Sequence, residues 1–226
     1  MVKLAVFDLA GTTVADNNEV AVAFQKAFEV YGYSIAEGDI KALMGYKKPV
    51  AIQIMLEKMG VEMDKGLVDD IHREFETEMI DHYEYSPEVK PMPGAEDIML
   101  QLKEKGIKVA LNTGFSKVIA DTILNRFQWI EKGIADDFIA SDEVEEGRPQ
   151  PFMIQALMQR AGIEDPREVI KIGDTEVDVN EGINAGCAMV VAVTTGAFTR
   201  NQLEPYSPDY IIDSLSELPA LIYDRD

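Results

Sequence analysis

The chain delivers one carboxylate, Asp8, at the end of the apolar run Leu4-Ala5-Val6-Phe7, and follows it with Leu9-Ala10-Gly11-Thr12-Thr13. An acid carried by a buried strand to its carboxyl edge can serve as nucleophile, metal ligand or both. Alone, it would do no more than cap the turn that follows. Three further polar stations change its meaning. Asn112-Thr113-Gly114 ends the run Ile107 to Leu111. Gly147-Arg148-Pro149 lies between a third strand-like run and a helical stretch, and Gly173-Asp174-Thr175-Glu176-Val177-Asp178 ends a fourth. Stations at the ends of strands in one parallel sheet converge on a single crevice.

The chemistry that suits such a crevice is phosphoryl transfer. Mg²⁺ takes oxygen ligands and keeps several waters, so one or two carboxylates and a substrate phosphate suffice. Asp8 and Asp174 are the natural pair, and the backbone carbonyl of Ala10 is placed to join them. Asp178, one helical turn after Asp174, can ligate directly, hold metal-bound water, or simply charge a helix amino terminus. The candidate phosphate-binding residues are Thr12, Thr113, Gly114 and Arg148: hydroxyls and amides hold developing negative charge without reorganisation, and a guanidinium grips phosphate with a planar pair of donors.

These residues need a scaffold. Ile107 to Asn112, Ile134 to Ala140, Val169 to Gly173 and Ala188 to Val193 read as strands; with residues 2 to 8 they make five, and Tyr210-Ile211-Ile212 adds an edge. Ala95 to Lys105, Lys117 to Phe127, Pro151 to Ala161 and Glu176 to Ala185 carry apolar residues at helical spacing, and a final helix starts near Leu215. The alternation predicts an α/β fold, a Rossmann-like parallel sheet core, with an inserted α-helical module. Residues 17–87 are long helical stretches rich in Glu, Lys and Met without a convincing strand. They are expected to form a helical cap domain, with 1–16 and 88–226 the core. The first linker falls in Thr13 to Asn18, and the second, Tyr85 to Gly94, holds three prolines that oppose helix and central strand alike.

The 226 residues carry a formal charge of −20, which repels nucleic acid and anionic membrane surfaces. No apolar run approaches the roughly 20 residues of a membrane span, and the amino terminus lacks a cleavable secretory pattern, so a cytoplasmic protein is expected. The single cysteine, Cys187, reads as a buried inert thiol. Val20, Val22, Phe24, Phe28 and Val30 along the first cap helix could serve the cap core or the face of a homodimer.

In their order and spacing these motifs resemble the haloacid dehalogenase superfamily, whose members form an aspartyl-phosphate. The resemblance implies Asp8 as nucleophile, Thr113 as the phosphate-binding hydroxyl of a second motif, Arg148 as the basic residue of a third, and Asp174 with Asp178 as the acidic metal motif. Most phosphatases of this superfamily carry a general acid two positions after the nucleophile, where this chain has Ala10. Losing that acid should cost an ordinary ester hydrolysis about 10²- to 10⁴-fold. Asp8-Leu9-Ala10-Gly11-Thr12-Thr13 with Arg148 resembles one branch in particular, phosphonoacetaldehyde hydrolase (phosphonatase) and its close relatives.

In that branch a cap lysine forms a Schiff base with the substrate aldehyde, and the protonated imine draws electrons from the carbon–phosphorus bond, so no leaving-group acid is needed. Met44-Gly45-Tyr46-Lys47-Lys48 is similar to the branch's Met-Gly-x-x-Lys segment and puts Lys48 at the Schiff-base position, with Lys47 one residue away. The branch also has a histidine soon after that lysine and a cysteine near the first motif. Here Lys48 is followed by Pro49-Val50-Ala51-Ile52, Asn17 and Asn18 stand in the cysteine's region, and His72 and His82 read as helix-surface residues. The expected substrate is a small carbonyl phosphonate. The alternatives are a phosphatase acting on a small phosphate ester, and a phosphate- and metal-binding protein that no longer turns over.

Overall fold

The computed structural model describes residues 1–62 and 64–223. Six strands make one parallel sheet in the order β3-β2-β1-β4-β5-β6. β1 is Leu4–Asp8, β2 Lys108–Thr113, β3 Asp137–Ala140, β4 Val169–Gly173, β5 Met189–Val193 and β6 Tyr210–Ile212. In a doubly wound sheet of this order the crevice opens at the carboxyl ends of β1 and β4, where successive connections leave in opposite directions. β1, β4 and β5 are buried throughout, as strands covered on both faces must be.

Period-two alternation divides the core. Ala5 and Phe7 of β1 face the cluster that includes Ile98 and Leu102 of α5 (Ala95–Glu104), Ile119 and Ile123 of α6 (Lys117–Phe127) and Ile222 of α10 (Leu218–Tyr223). Leu4 and Val6 face Met153, Ile154 and Leu157 of α7 (Phe152–Ala161). α8 (Glu176–Ala185) and α9 (Arg200–Leu203) pack Val179 and Leu203 against Val190 and Ala192 of β5. Burying each such side chain contributes about 1.5–3 kcal/mol.

All six expected strands form, with one shortened. Ile134 and Ala135 are buried by a turn, their N–H groups donating to the Trp129 carbonyl, so β3 starts only at Asp137. The last helix begins with a tighter turn, Leu215–Glu217, before α10.

Between β1 and α5 the described residues form helices α1 (Glu19–Val30), α2 (Glu37–Lys41), α3 (Lys48–Lys58) and α4 (Lys65–Tyr85). Phe24 of α1 packs on Phe75 of α4 with ring centroids 4.4 Å apart. Val20, Phe24 and Phe28 are buried in the same cluster as Ala5 and Phe7 of β1, whereas Val22 and Val30 are exposed. The two linkers run side by side: Val14 bridges Pro91, Ala15 N–H donates to the Lys90 carbonyl, and Met92 N–H donates to the Thr13 carbonyl. No helix of the described residues is long and apolar enough to cross a membrane.

Candidate active site

The strand ends deliver their stations to one small cavity of about 30 Å³, bounded below by Asp8, Ala10, Thr113, Gly114, Arg148 and Asp174. Val20, Met44, Gly45 and Lys48 of the insert bound it above, and Asp16 bounds it from the linker. A space of this size holds one or two waters.

Arg148 organises the floor. One terminal nitrogen donates to Asp8 Oδ1 at 2.7 Å and the other to Asp178 Oδ1, while its buried Nε has no hydrogen-bond partner. Burial opposes the guanidinium charge, but Asp178, Asp8 and Glu181 outweigh it and hold its pKa above the ordinary value. Burial also works to raise Asp178, yet Arg148, Lys171 and Thr175 prevail and bring it down to about 2. Its second oxygen accepts from Thr175 Oγ1 at 2.6 Å and from Thr175 N–H at 3.2 Å, closing a capping box at the start of α8.

Asp8 and Asp174 are different. Burial, and the neighbouring Asp178, raise the Asp8 carboxyl against the pull of Arg148 and Lys171. Asp174 is raised well above its usual value by burial and by Asp8 and Asp178. It is held by Ala197 N–H at 2.6 Å and Thr12 Oγ1 at 3.2 Å, both neutral donors. Ligand oxygens of Asp8, Asp174 and Asp178 lie within 4.8 Å of one another, all buried. An all-oxygen set whose charge is under-compensated by the protein fits a hard divalent cation. Asp178, with both oxygens engaged by protein donors, is better suited to orienting a metal-bound water than to direct ligation.

Thr12 is fully buried and does not line the cavity. Its hydroxyl donates to Asp174, so it orients that carboxylate rather than reaching toward a phosphate. Thr113 and Gly114 do line it. Thr113 is the last residue of β2, and its Oγ1 accepts from Phe115 N–H at 3.2 Å.

The sequence reading did not include Lys171. It is fully buried in the middle of β4, with Nζ 2.7 Å from Asn112 Oδ1, 2.9 Å from Asp178 Oδ1 and 3.6 Å from Glu181 Oε2. Asn112 donates to both Glu181 oxygens at 2.9 Å. A lysine within Val-Ile-Lys-Ile-Gly, a strand buried on both faces, demands such a partner set, and that demand was readable. Lys171→Met, leaving Glu181 without its cation and Asp178 with one fewer, is expected to cost about 3–5 kcal/mol, checked as a lowered denaturant midpoint.

The register of α3 separates the two adjacent lysines. Lys47, the N-cap, sends Nζ outward to the carbonyls of Val144 (3.2 Å) and Glu145 (3.5 Å) on the core. Lys48, the first residue of α3, is only 3% exposed and turns into the cavity. Its Nζ donates to the Tyr46 carbonyl at 3.3 Å and sits 5.0 Å from the Phe115 ring centroid and 5.7 Å from that of Phe24. Burial first, then the Arg148 charge, depresses its pKa to about 8 against the pull of Asp8, Asp16 and Asp174. Its place in the first turn of a helix adds dipole repulsion in the same direction. A buried amine neutral part of the time is a nucleophile.

Two more contacts bind insert to core: Tyr46 OH donates to Glu176 Oε1 at 2.7 Å, and Ser116 Oγ donates to Glu76. Asn17 and Asn18 do not line the cavity; they border a separate depression with Lys26 and His82. His72 departs from its surface reading: its Nε2 is buried without a hydrogen-bond partner, and burial, then nearby Lys48, lowers its pKa despite Glu76. Cys187 is half-buried rather than buried, and its thiol is pushed up to about 12, as an inert thiol would be.

Comparison with known proteins bears on this geometry. The family model for haloacid dehalogenase-like hydrolases matches residues 5–192. A phosphonoacetaldehyde hydrolase of Paraburkholderia phytofirmans is 29% identical over 259 residues, covering 99% of this chain and 95% of the relative. Among solved structures, a phosphonoacetaldehyde hydrolase-like protein from Oleispira antarctica superposes with a TM-score of 0.85 at 22% identity, covering 99% of this chain and 92% of that one. A hydrolase from Pseudomonas syringae superposes with a TM-score of 0.86 at 18% identity, covering 97% of both chains. With a family match across most of its length and the matching fold, the chain belongs to the haloacid dehalogenase-like hydrolases.

Proposed function

We propose that this hydrolase is a Mg²⁺-dependent phosphonatase that cleaves the carbon–phosphorus bond of phosphonoacetaldehyde or a similar small carbonyl phosphonate. The observation that carries the reading is Lys48: a buried amine depressed to about 8, facing the cavity that holds Asp8, where Ala10 leaves no leaving-group acid two residues on. In this reading residues 17–87 are the cap, and 1–16 with 88–226 the core. A small anion rather than nucleic acid or a membrane is the partner of a chain with charge −20, and a cytoplasmic setting suits it.

Neutral Lys48 adds to the substrate carbonyl and, on loss of water, gives a protonated imine. The Asp8 carboxylate attacks phosphorus in line; the pair of the carbon–phosphorus bond moves into the iminium as an enamine, and phosphorus passes to Asp8. In this reading Arg148, the Thr113 hydroxyl and the amides near Gly114, whose residues line the cavity, hold the phosphoryl oxygens. Water then hydrolyses the aspartyl-phosphate. Asp8, Asp174 and the Ala10 carbonyl would hold Mg²⁺, which when bound neutralises charge shared between the phosphoryl group and the carboxylates.

Purified protein with Mg²⁺ should release phosphate from phosphonoacetaldehyde, lose that activity on chelation, and hydrolyse simple phosphate esters far more slowly. Release from small esters in preference to phosphonoacetaldehyde would replace this reading with the phosphatase one. Cap closure has its own test. A Cβ on Gly114 would collide with the Gly45 and Tyr46 carbonyl oxygens of the insert. Gly114→Ala should therefore lower kcat/KM about 10²-fold while leaving the denaturant midpoint near wild type.

A further inference from the structure

Asp16 belongs to none of the motif stations, yet it bounds the cavity together with Lys48 and Asp8. It follows the paired linkers and is fixed from the insert side, Oδ1 accepting from Val20 N–H at 3.2 Å in the first turn of α1. Its carboxyl is also hydrogen-bonded to that of Glu19, which in turn accepts from Asn17 N–H. Two carboxyls in contact share a proton, and the more enclosed partner keeps it. Burial and the Glu19 charge lift Asp16 to about 6; burial works the same way on Glu19, but its hydrogen bonds, that from Asp16 foremost, leave it below the usual value. The other charged or titratable groups facing Asp16 are Lys48 and Tyr83, with Asp8, Asp174 and Arg148 across the cavity. Asp16 and Lys48 line the same cavity, and the Asp16 charge acts on the Lys48 amine.

We propose that Asp16 is the acid–base catalyst of the carbonyl chemistry at Lys48, an inference that rests on the Lys48 imine reading. After Lys48 has added to the carbonyl carbon, the hydroxyl of the resulting carbinolamine takes the Asp16 proton. The carbon–oxygen bond breaks, its pair leaves with water, and the nitrogen lone pair closes the carbon–nitrogen double bond. After carbon–phosphorus cleavage the enamine carbon takes a proton from water, which regenerates the iminium, and the path then reverses. Water adds to the iminium carbon, the π pair returns to nitrogen, and the Asp16 carboxylate takes the water's proton, so the acid is restored. The proton that Ala10 cannot handle at the leaving group is not needed there; the one that imine formation needs comes from the linker.

The test follows reductive labelling of Lys48 by acetaldehyde and cyanoborohydride, which reports imine formation without phosphorus chemistry. Protonated Asp16 is lost above about pH 6 while neutral Lys48 grows until about pH 8, so wild type should label at Lys48 with a rate that rises to about pH 6, stays level to about pH 8 and falls above it. Asp16→Asn, which keeps the acceptor for Val20, should slow labelling about 10²-fold and remove that limb, and Asp16→Glu should restore part of the rate. Glu19→Gln should move the lower break of the profile, near pH 6 in wild type, to lower pH, because it removes the neighbouring anion that raises Asp16. Asp16→Asn labelled at the wild-type rate with the wild-type pH profile overturns the role of Asp16 and leaves the imine reading standing. Wild type that does not label at Lys48 overturns both.

Discussion

Asp8→Asn is expected to reduce phosphate release by at least about 10⁴-fold, because a carboxamide neither attacks phosphorus nor is displaced by water. The same change should not lower the unfolding temperature. Asp8 is one of three carboxylates crowded within 4.8 Å, and its carboxyl is raised by burial and by Asp178. The substitution removes one buried like charge while Arg148 keeps its pairing with Asp178. Catalytic machinery that strains the fold in this way loses activity and keeps or gains stability when neutralised. Phosphate release and thermal unfolding measured side by side check the two halves, and a lowered melting temperature would show that the carboxylate is there for structure.

Lys48→Arg is expected to cost about 10³-fold or more in release of phosphate from phosphonoacetaldehyde, whereas Lys47→Arg should stay within about threefold. An arginine keeps its charge at all working pH values and cannot add to a carbonyl. At position 47 it can still donate to the Val144 and Glu145 carbonyls. The wild-type amine, with its pKa depressed to about 8, has a neutral fraction that falls tenfold for each pH unit below that value. Where nucleophilic addition limits turnover, the rate therefore rises with pH and levels near 8. A pH–rate profile of Lys48→Arg residual activity should lack this rise.

Much of the scaffold was legible because strands of a parallel sheet are apolar runs and because ligands gather where such runs stop. Asp8, Thr113, Arg148 and Asp174 could be found that way, and they do line one cavity. Other features depend on contacts between distant segments. Thr12 follows the nucleophile closely in sequence but is turned onto Asp174, 162 residues away. Which lysine faces inward was undecidable from spacing alone, since a slip of one residue exchanges them; the start of α3 at Lys48 settles the direction. Asp16 lay in a stretch that read as a linker, and the fold brings it to the cavity beside Lys48. Lys171 was the avoidable omission, a charge in the middle of a buried strand.

The most direct test of the Lys48 reading is borohydride reduction in the presence of phosphonoacetaldehyde, with the modified residue located by peptide mass spectrometry. A reduced two-carbon adduct on Lys48, absent from Lys48→Arg, is the expected result. Continued phosphate release from phosphonoacetaldehyde with no adduct on Lys48, or an adduct confined to Lys47, would contradict it.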